Sequence, residues 1–243
     1  MIPHRRTLVT GAGGPLGVAL VRRALQRGDR VYAAARNPAR VPVLADLRAE
    51  YGGLELLAMD PADAASVAMG VPVLERLTES LDLLVVAPGE PAPHGRTGDA
   101  TRDEALATLS GTGLGEHYHR HAVAPLLLVR TLLPFLARGE GARVLLVSSW
   151  LGSLAGKTQG GDYATCASLA AFNMLGRALA HDLADDGITV CLGNPGRYAT
   201  SPEGPVFQHG VEDAAAGLLS VVDRLPRDRT GSFLDWTGAE RAW

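Results

Sequence analysis

The chain has 243 residues, 47% of them hydrophobic, enough to bury one substantial core. Its 26 acidic against 23 basic residues give a formal charge of −3, which leaves no basic footprint and excludes nucleic acid as the main partner. The apolar stretch after Arg5 and Arg6 is too short for an export signal and no run approaches a membrane span, so the chain reads as soluble and cytoplasmic, with a small molecule as its partner.

A short apolar strand is predicted at 7–9 and an amphipathic helix at 15–27, joined by Thr10-Gly11-Ala12-Gly13-Gly14-Pro15-Leu16-Gly17. The spacing of Gly11, Gly14 and Gly17 permits a sharp turn, close approach of backbone to a pyrophosphate, and tight seating of the new helix on the sheet. Pro15 suits the first helical position, where its missing N–H has no intrahelical acceptor, and the N–H groups around Leu16 and Gly17 then point at the phosphates. A glycine pattern alone is weak, and the strand before it and helix after it are what make it a dinucleotide-binding signal. The next strand, 31–35, ends at Arg36-Asn37, about 20 residues on, where that signal expects its companion. A helix at 39–49, a strand at 54–58 ending at Asp60, a helix at 62–79 and a strand at 83–87 follow.

In the second half, a weaker helix at 102–109 opens with a Thr101-x-x-Glu104 capping box. Helices at 118–137, 163–184 and 211–224 then alternate with strands at 144–147, 189–192 and 232–234. Residues 88–98 and 194–208 are rich in Gly and Pro without periodicity and read as loops. This alternation predicts an α/β fold: a single-domain, Rossmann-like, doubly wound parallel sheet over residues 1–243 with helices on both faces. Ligands then sit beyond the strand C-terminal ends, at 11–17, Arg36, Asp60, 88–98, 148–162 and 194–208. Cys166 and Cys191 fall in a helix and a strand and read as buried thiols of a reducing compartment. His117 and His121 share a helical face near His119, but with no acidic ligand at matching spacing no metal is expected. Lys157 is the only lysine, so any reaction that needs one has a single candidate.

With these motifs in this order, the chain resembles the short-chain dehydrogenase/reductase family over essentially its whole length. Met59-Asp60 resembles the family's adenine contact, and Pro195-Gly196-x-x-x-Thr200 its nicotinamide-side loop. Arg36-Asn37 stands where NAD-preferring members carry an acid; a guanidinium there pairs a 2′-phosphate, so the resemblance implies NADP. The run Ser148-Ser149-x-x-Gly152-Ser153, with Gly160-Gly161 and the tail Gly231-Ser232-Phe233-Leu234-Asp235-Trp236, resembles the C-factor-like reductases. In that register Thr165 replaces the proton-donating tyrosine and Leu169 the lysine that lowers its pKa. A second register makes Tyr163 the acid, but four residues on stands Ala167, so the lysine is missing either way. Val86-Ala87-Pro88-Gly89 replaces the usual Asn-Asn-Ala-Gly, leaving Ala87 and Gly89 beside the cofactor, and His121 aligns with the active-site Asn; only Ser149 of the four persists.

Positioned acid–base catalysis contributes roughly 100- to 10,000-fold, so losing tyrosine and lysine together should cripple ordinary carbonyl reduction. Three readings stay open: an NADP-binding enzyme doing non-redox chemistry on a carbonyl compound, with Ser149 on the oxyanion and His121 or Tyr163 moving protons; a reductase with a substitute donor; or a silent binding protein. The family's habit of pairing through its two long helices implies a homo-oligomer, dimer or tetramer, with Ala164, Ala167, Ala170 and Ala171 permitting close packing.

Overall fold

The computed structural model describes residues 4–88, 106–107, 109–199 and 209–243. Among them the strands are β1 (Arg6–Val9), β2 (Arg30–Ala35), β3 (Leu54–Ala58), β4 (Leu83–Val86), β5 (Arg143–Val147), β6 (Thr189–Asn194), β7 (Tyr198–Ala199), β8 (His209–Gly210) and β9 (Ser232–Asp235). Seven of these pair in parallel as one sheet in the order β3-β2-β1-β4-β5-β6-β9, and β7 with β8 forms a separate parallel pair. The order reverses between β1 and β4, which opens a crevice at the carboxyl ends of the strands.

Successive strand residues point to opposite faces, so each strand feeds two cores. Val9, Val31, Val85 and Leu145 pack under helices α1 (Pro15–Gln26) and α2 (Pro42–Glu50), with the later helix Val211–Arg224 completing that layer through Leu218 and Val222. Leu8, Tyr32, Leu84 and Val144 pack on the other face under α3 (Ala64–Leu77), α4 (Gly111–Ala137) and α5 (Tyr163–Asp182). The helix Val211–Arg224 is α6.

The predicted elements hold their order, with corrections at α4, within 194–208 and at Cys166. Helix α4 begins at Gly111 rather than 118: Gly111-Thr112-Gly113 carries no apolar period, and the signal overlooked was Ser110, whose Oγ accepts the Gly113 N–H at 3.1 Å as an N-cap. This helix, an 18-residue window of which has mean hydropathy 1.3, is long and apolar enough to cross a membrane, contrary to the expectation that no stretch approaches one; its Leu128, Leu132 and Phe135 are instead buried against the sheet, which makes it a core helix. Within 194–208, read as loop, Tyr198–Ala199 forms β7. Cys191 is buried as expected, whereas Cys166 is only half-buried; both are free thiols. The capping box at Thr101 and Glu104 lies outside the described residues.

One turn of α4 is not α-helical. His119–Val123 forms a π turn in which the Ala124 N–H reaches back five residues to the His119 carbonyl. Pro125 explains it: proline has no N–H to send to the carbonyl four residues back, that of His121, and its ring would crowd that carbonyl in a regular helix.

At the opposite end of the sheet, Asp82 ties β1 to β4. Its carboxylate accepts the Arg6 Nε (2.8 Å), Nη2 (2.7 Å) and backbone N–H (2.8 Å), and the Glu140 N–H at 2.8 Å. Burial pushes this carboxyl up, but those hydrogen bonds outweigh it and hold it below the usual carboxylate range. The stabilisation is therefore present above the unfolded-state value and is lost as pH falls through the folded one. Asp82→Asn is expected to cost about 2 kcal/mol at pH 7, a Tm lower by roughly 4–8 °C, with the gap to wild type closing as pH falls below the usual carboxylate range in thermal melts.

Candidate active site

The crevice at the strand ends is a cavity of about 760 Å³, within the size range of small-molecule and cofactor sites. Its walls come from every predicted ligand segment that the described residues contain, plus the π-turn region of α4 and the Leu169–Phe172 face of α5.

At one end lies the glycine turn. Gly11 has φ +63°, and a Cβ there would stand 2.4 Å from the Ala87 carbonyl oxygen. A Cβ on Gly17 would stand 2.1 Å from the Gly11 carbonyl oxygen, so only glycine lets α1 sit this close to the turn. Gly14 is the extended N-cap (φ −88°, ψ 162°), its carbonyl accepting the Val18 N–H at 2.9 Å, and Pro15 takes the first helical position. Gly11, Gly13 and Leu16 line the cavity, whereas Gly14, Pro15 and Gly17 shape the turn from outside the lining. Gly13 was missed because only the x-x spacing was weighed, not the Gly13-Gly14 pair.

Arg36 and Asn37, exposed at the end of β2, line the same end, as does Asp60. Asp60 also organises its own turn: its Oδ1 accepts the Ala62 N–H (3.0 Å) and its N–H donates to Ser66 Oγ (2.9 Å). Ala87 lines the cavity, and the Thr10 hydroxyl, 3.3 Å from the Ala87 N–H and 3.4 Å from its carbonyl, braces β1 to the end of β4. Gly89 and Thr200 lie outside the described residues. Before Thr200, Gly196 adopts φ +73° with His209 Cε1 2.9 Å from where its Cβ would be. The His209 Nε2 donates to the Pro195 carbonyl at 2.9 Å while its ring stacks on Trp236 (4.3 Å), which fixes the segment that brings Arg197 and Tyr198 into the lining.

Ser149 leaves β5 in extended conformation and caps the turn Trp150–Gly152, its Oγ accepting the Leu151 N–H at 3.2 Å. That leaves the hydroxyl hydrogen for the cavity. A buried frame holds it: Ser148 Oγ donates to Asn173 Oδ1 (2.5 Å), Asn173 Nδ2 to the Gly152 carbonyl (3.1 Å), and Asn194 Oδ1 accepts the Trp150 and Gly196 N–H groups at 3.2 Å each.

His121, on the π turn, lines the cavity across from Leu169 of α5. Its Nδ1 is 2.9 Å from Ser168 Oγ. Burial, with smaller contributions from the neighbouring His117 and Arg120, pushes its pKa down to about 4. The His117 ring meets it edge-on at 5.3 Å, and His119 points away, its Nε2 donating to the Ala62 carbonyl at 3.3 Å. Among the described residues no group of three His, Cys, Asp or Glu is arranged to hold a metal ion.

Tyr163, expected in the cavity, is not in its lining; it starts α5 and is 39% exposed. Thr165 is buried outside the lining. Lys157 is outside it too: its Nζ donates to the Gly161 carbonyl (2.9 Å) and contacts Cys166 Sγ (3.3 Å). Tyr198, in the 194–208 segment expected beyond the strand ends, lines the cavity as that reading requires, and burial raises its pKa.

The short chain dehydrogenase family model matches residues 5–209. The C-signal protein of Myxococcus xanthus is 35% identical over 139 residues, spanning 57% of this chain and 84% of its own. Among solved structures, NADPH-bound carbonyl reductase from chicken fatty liver superposes with TM-score 0.83 at 28% identity over 99% of both chains. A carbonyl reductase from Pseudomonas aeruginosa PAO1 in complex with NADP gives TM-score 0.79 at 28% identity, over 99% of this chain and 100% of its own.

Because the folded His121 takes up its proton only near pH 4, while an unfolded histidine does so near 6.5, stability drains away as pH falls between those values. His121→Asn is expected to lose less Tm than wild type on going from pH 7 to pH 5 in paired thermal melts.

Proposed function

The chain belongs to the short chain dehydrogenase family, and on that premise we propose that it is an NADP-binding enzyme acting on a carbonyl-bearing small molecule, its proton relay built on His121 and Ser149. The residues fit the nucleotide: glycine backbone at Gly11 and Gly13 and the N-terminus of α1 suit the pyrophosphate, Arg36 the 2′-phosphate, and Asp60 the adenine. Ala87 and Gly196 flank the nicotinamide end, and the motif adds Gly89 and Thr200. NADP, when bound, supplies a hydride donor or acceptor.

One observation carries the choice of chemistry. Leu169 lines the cavity where the C-factor-like register, supported by the likeness to C-signal, puts the catalytic lysine, and the chain's sole lysine is engaged elsewhere. No phenol–ammonium pair is assembled among the described residues. Tyr198 is a phenol in the lining, but burial raises its pKa and no lysine among the described residues lines the cavity to lower it. We therefore assign non-redox chemistry. The Ser149 hydroxyl donates to the substrate carbonyl oxygen, and neutral His121 takes a proton from the adjacent carbon, whose C–H electrons become the enolate double bond. Return of that proton to the neighbouring carbon gives isomerisation; loss of a β-hydroxyl as water gives dehydration.

The likeness to carbonyl reductases favours a second reading, reduction with a substitute proton donor. In either case residues 1–243 form one nucleotide-binding domain, which we place in the cytoplasm as a homo-oligomer through α4 and α5, whose Leu127 and Met174 are exposed.

Fluorescence titration is expected to show NADPH binding that Arg36→Glu weakens at least tenfold, with little change for NADH. Product formation from a carbonyl substrate, followed by NMR, should proceed at constant reduced-nicotinamide absorbance, and Ser149→Ala should slow it by roughly 100- to 10,000-fold. Substrate-dependent loss of that absorbance establishes the reductase instead.

A further inference from the structure

The reactive end of the cavity contains one hydrogen-bonded chain that the family register does not account for. Ser168 Oγ, on a side chain only 2% exposed, lies 2.9 Å from His121 Nδ1 and 3.0 Å from the Thr165 carbonyl oxygen. A hydroxyl has one hydrogen, and a carbonyl only accepts. If the Ser168 hydrogen went to Nδ1, its lone pairs would face the Thr165 oxygen at 3.0 Å with no water between. The arrangement that satisfies all three groups has Ser168 donating to Thr165, three residues back on α5, and accepting from a protonated Nδ1.

We propose that Ser168 is a positioning residue that holds His121 in its Nδ1–H tautomer and thereby commits Nε2 to accepting protons from the substrate. Nε2 has no hydrogen-bond partner among the described residues, and the ring lines the cavity while Ser168 does not. The charged and titratable groups acting on the ring are Arg120 and His117, both from its own helix; the facing polar group from α5 is Ser168 itself. Neither neighbour supplies a carboxylate to favour the imidazolium, so the ring stays neutral.

The assignment rests on the reading of His121 as a proton carrier and sharpens the substrate class. A neutral imidazole that presents a lone pair cannot polarise a carbonyl oxygen. That task is left to the Ser149 hydroxyl, and His121 must meet a removable hydrogen: a C–H next to the carbonyl, or a hydroxyl on the adjacent carbon, as in an α-hydroxy ketone. The balance is closed. In an α-hydroxy ketone the C–H of the hydroxyl-bearing carbon breaks, its proton moves to Nε2 and its electrons into the enediolate, the hydroxyl proton passes to the former carbonyl oxygen, and Nε2 returns its proton to the former carbonyl carbon.

The test is the tautomer itself, read by long-range ¹H–¹⁵N NMR on the full chain with ¹⁵N-labelled histidine, the His121 signals identified by their disappearance in His121→Asn. Wild type at pH 7 is expected to show a protonated, pyrrole-type Nδ1 and a bare, pyridine-type Nε2. Ser168→Ala should shift the ring toward the Nε2–H form, and Ser168→Thr, which keeps the hydroxyl, should restore it. With a substrate in hand, Ser168→Ala should lower kcat by roughly 100-fold with KM little changed, and Ser168→Thr should recover it. A bare Nδ1 in wild type, which needs no variant to fold, overturns the proposal, as does an unchanged tautomer in Ser168→Ala. A correct tautomer together with full turnover in His121→Asn leaves the positioning role standing and removes the catalytic one.

Discussion

Pro125 cannot donate the hydrogen bond that a regular helix would return to the His121 carbonyl, and the reactive end of the cavity is built around that missing bond. The helix absorbs it as a π turn, which adds a residue to the turn and changes which side chains share a face. Arg120 and His121 come to the cavity on this turn, beside His117 one turn earlier, while His119 is left reaching for the Ala62 carbonyl. An α-helical register through 119–123 would rotate the imidazole away from Ser168, and with it the bond that sets which ring nitrogen is bare.

The two halves of the cavity obey different physics. The nucleotide half is made mostly of backbone: turns that only glycine permits, a helix N-terminus, and side chains such as Asp60 that brace the turn they also expose. Backbone recognition depends on where chain atoms lie, so it survives side-chain replacement nearby; the Thr10 hydroxyl bridging to Ala87 shows a different group bracing strands where polar residues are absent. The other half is lined by individual side chains, His121, Ser149, Leu169 and Tyr198 among them, whose character is set residue by residue.

This division also explains what was legible in the sequence. Strands buried on both faces appear as continuous apolar runs, so all seven sheet strands were readable from hydrophobicity, and the ligand side from their carboxyl ends, whereas the strand order that puts the crevice between β1 and β4 came only with the fold. The start of α4 was not, because Gly111, Gly113 and Gly115 mask a helix whose stability comes from its Ser110 cap and its later, core-facing turns. β7 has no local signature, since it follows from His209 and Trp236 clamping the 195–198 segment from distant parts of the chain, whereas Tyr198 at the cavity was readable from its place beyond a strand end. Tyr163 was nominated from its separation from Ser149, a one-dimensional measure that says nothing about the side of α5 from which it projects. His121 was nominated from alignment, but its partner Ser168 lies 47 residues away and only the fold brings them together.

Leu169 and His121 are best understood as one environment. Leu169 lines the same cavity as His121 and brings no charge, and desolvation is the largest influence lowering the His121 pKa. An ammonium at position 169 would repel an imidazolium as well, but it would also hydrate the site and organise donors toward the carbonyl. With leucine, the cavity floor is apolar, the neutral ring is the stable form, and the Ser149 hydroxyl is the donor presented from the end of β5. In such a medium an enolate oxygen gains more from one fixed hydrogen bond than it would in water, and the proton on Nε2, released readily by so weak a base, has a short way back to carbon. An apolar, desolvated setting of this kind is what the proposed transfer of a proton between carbons draws on.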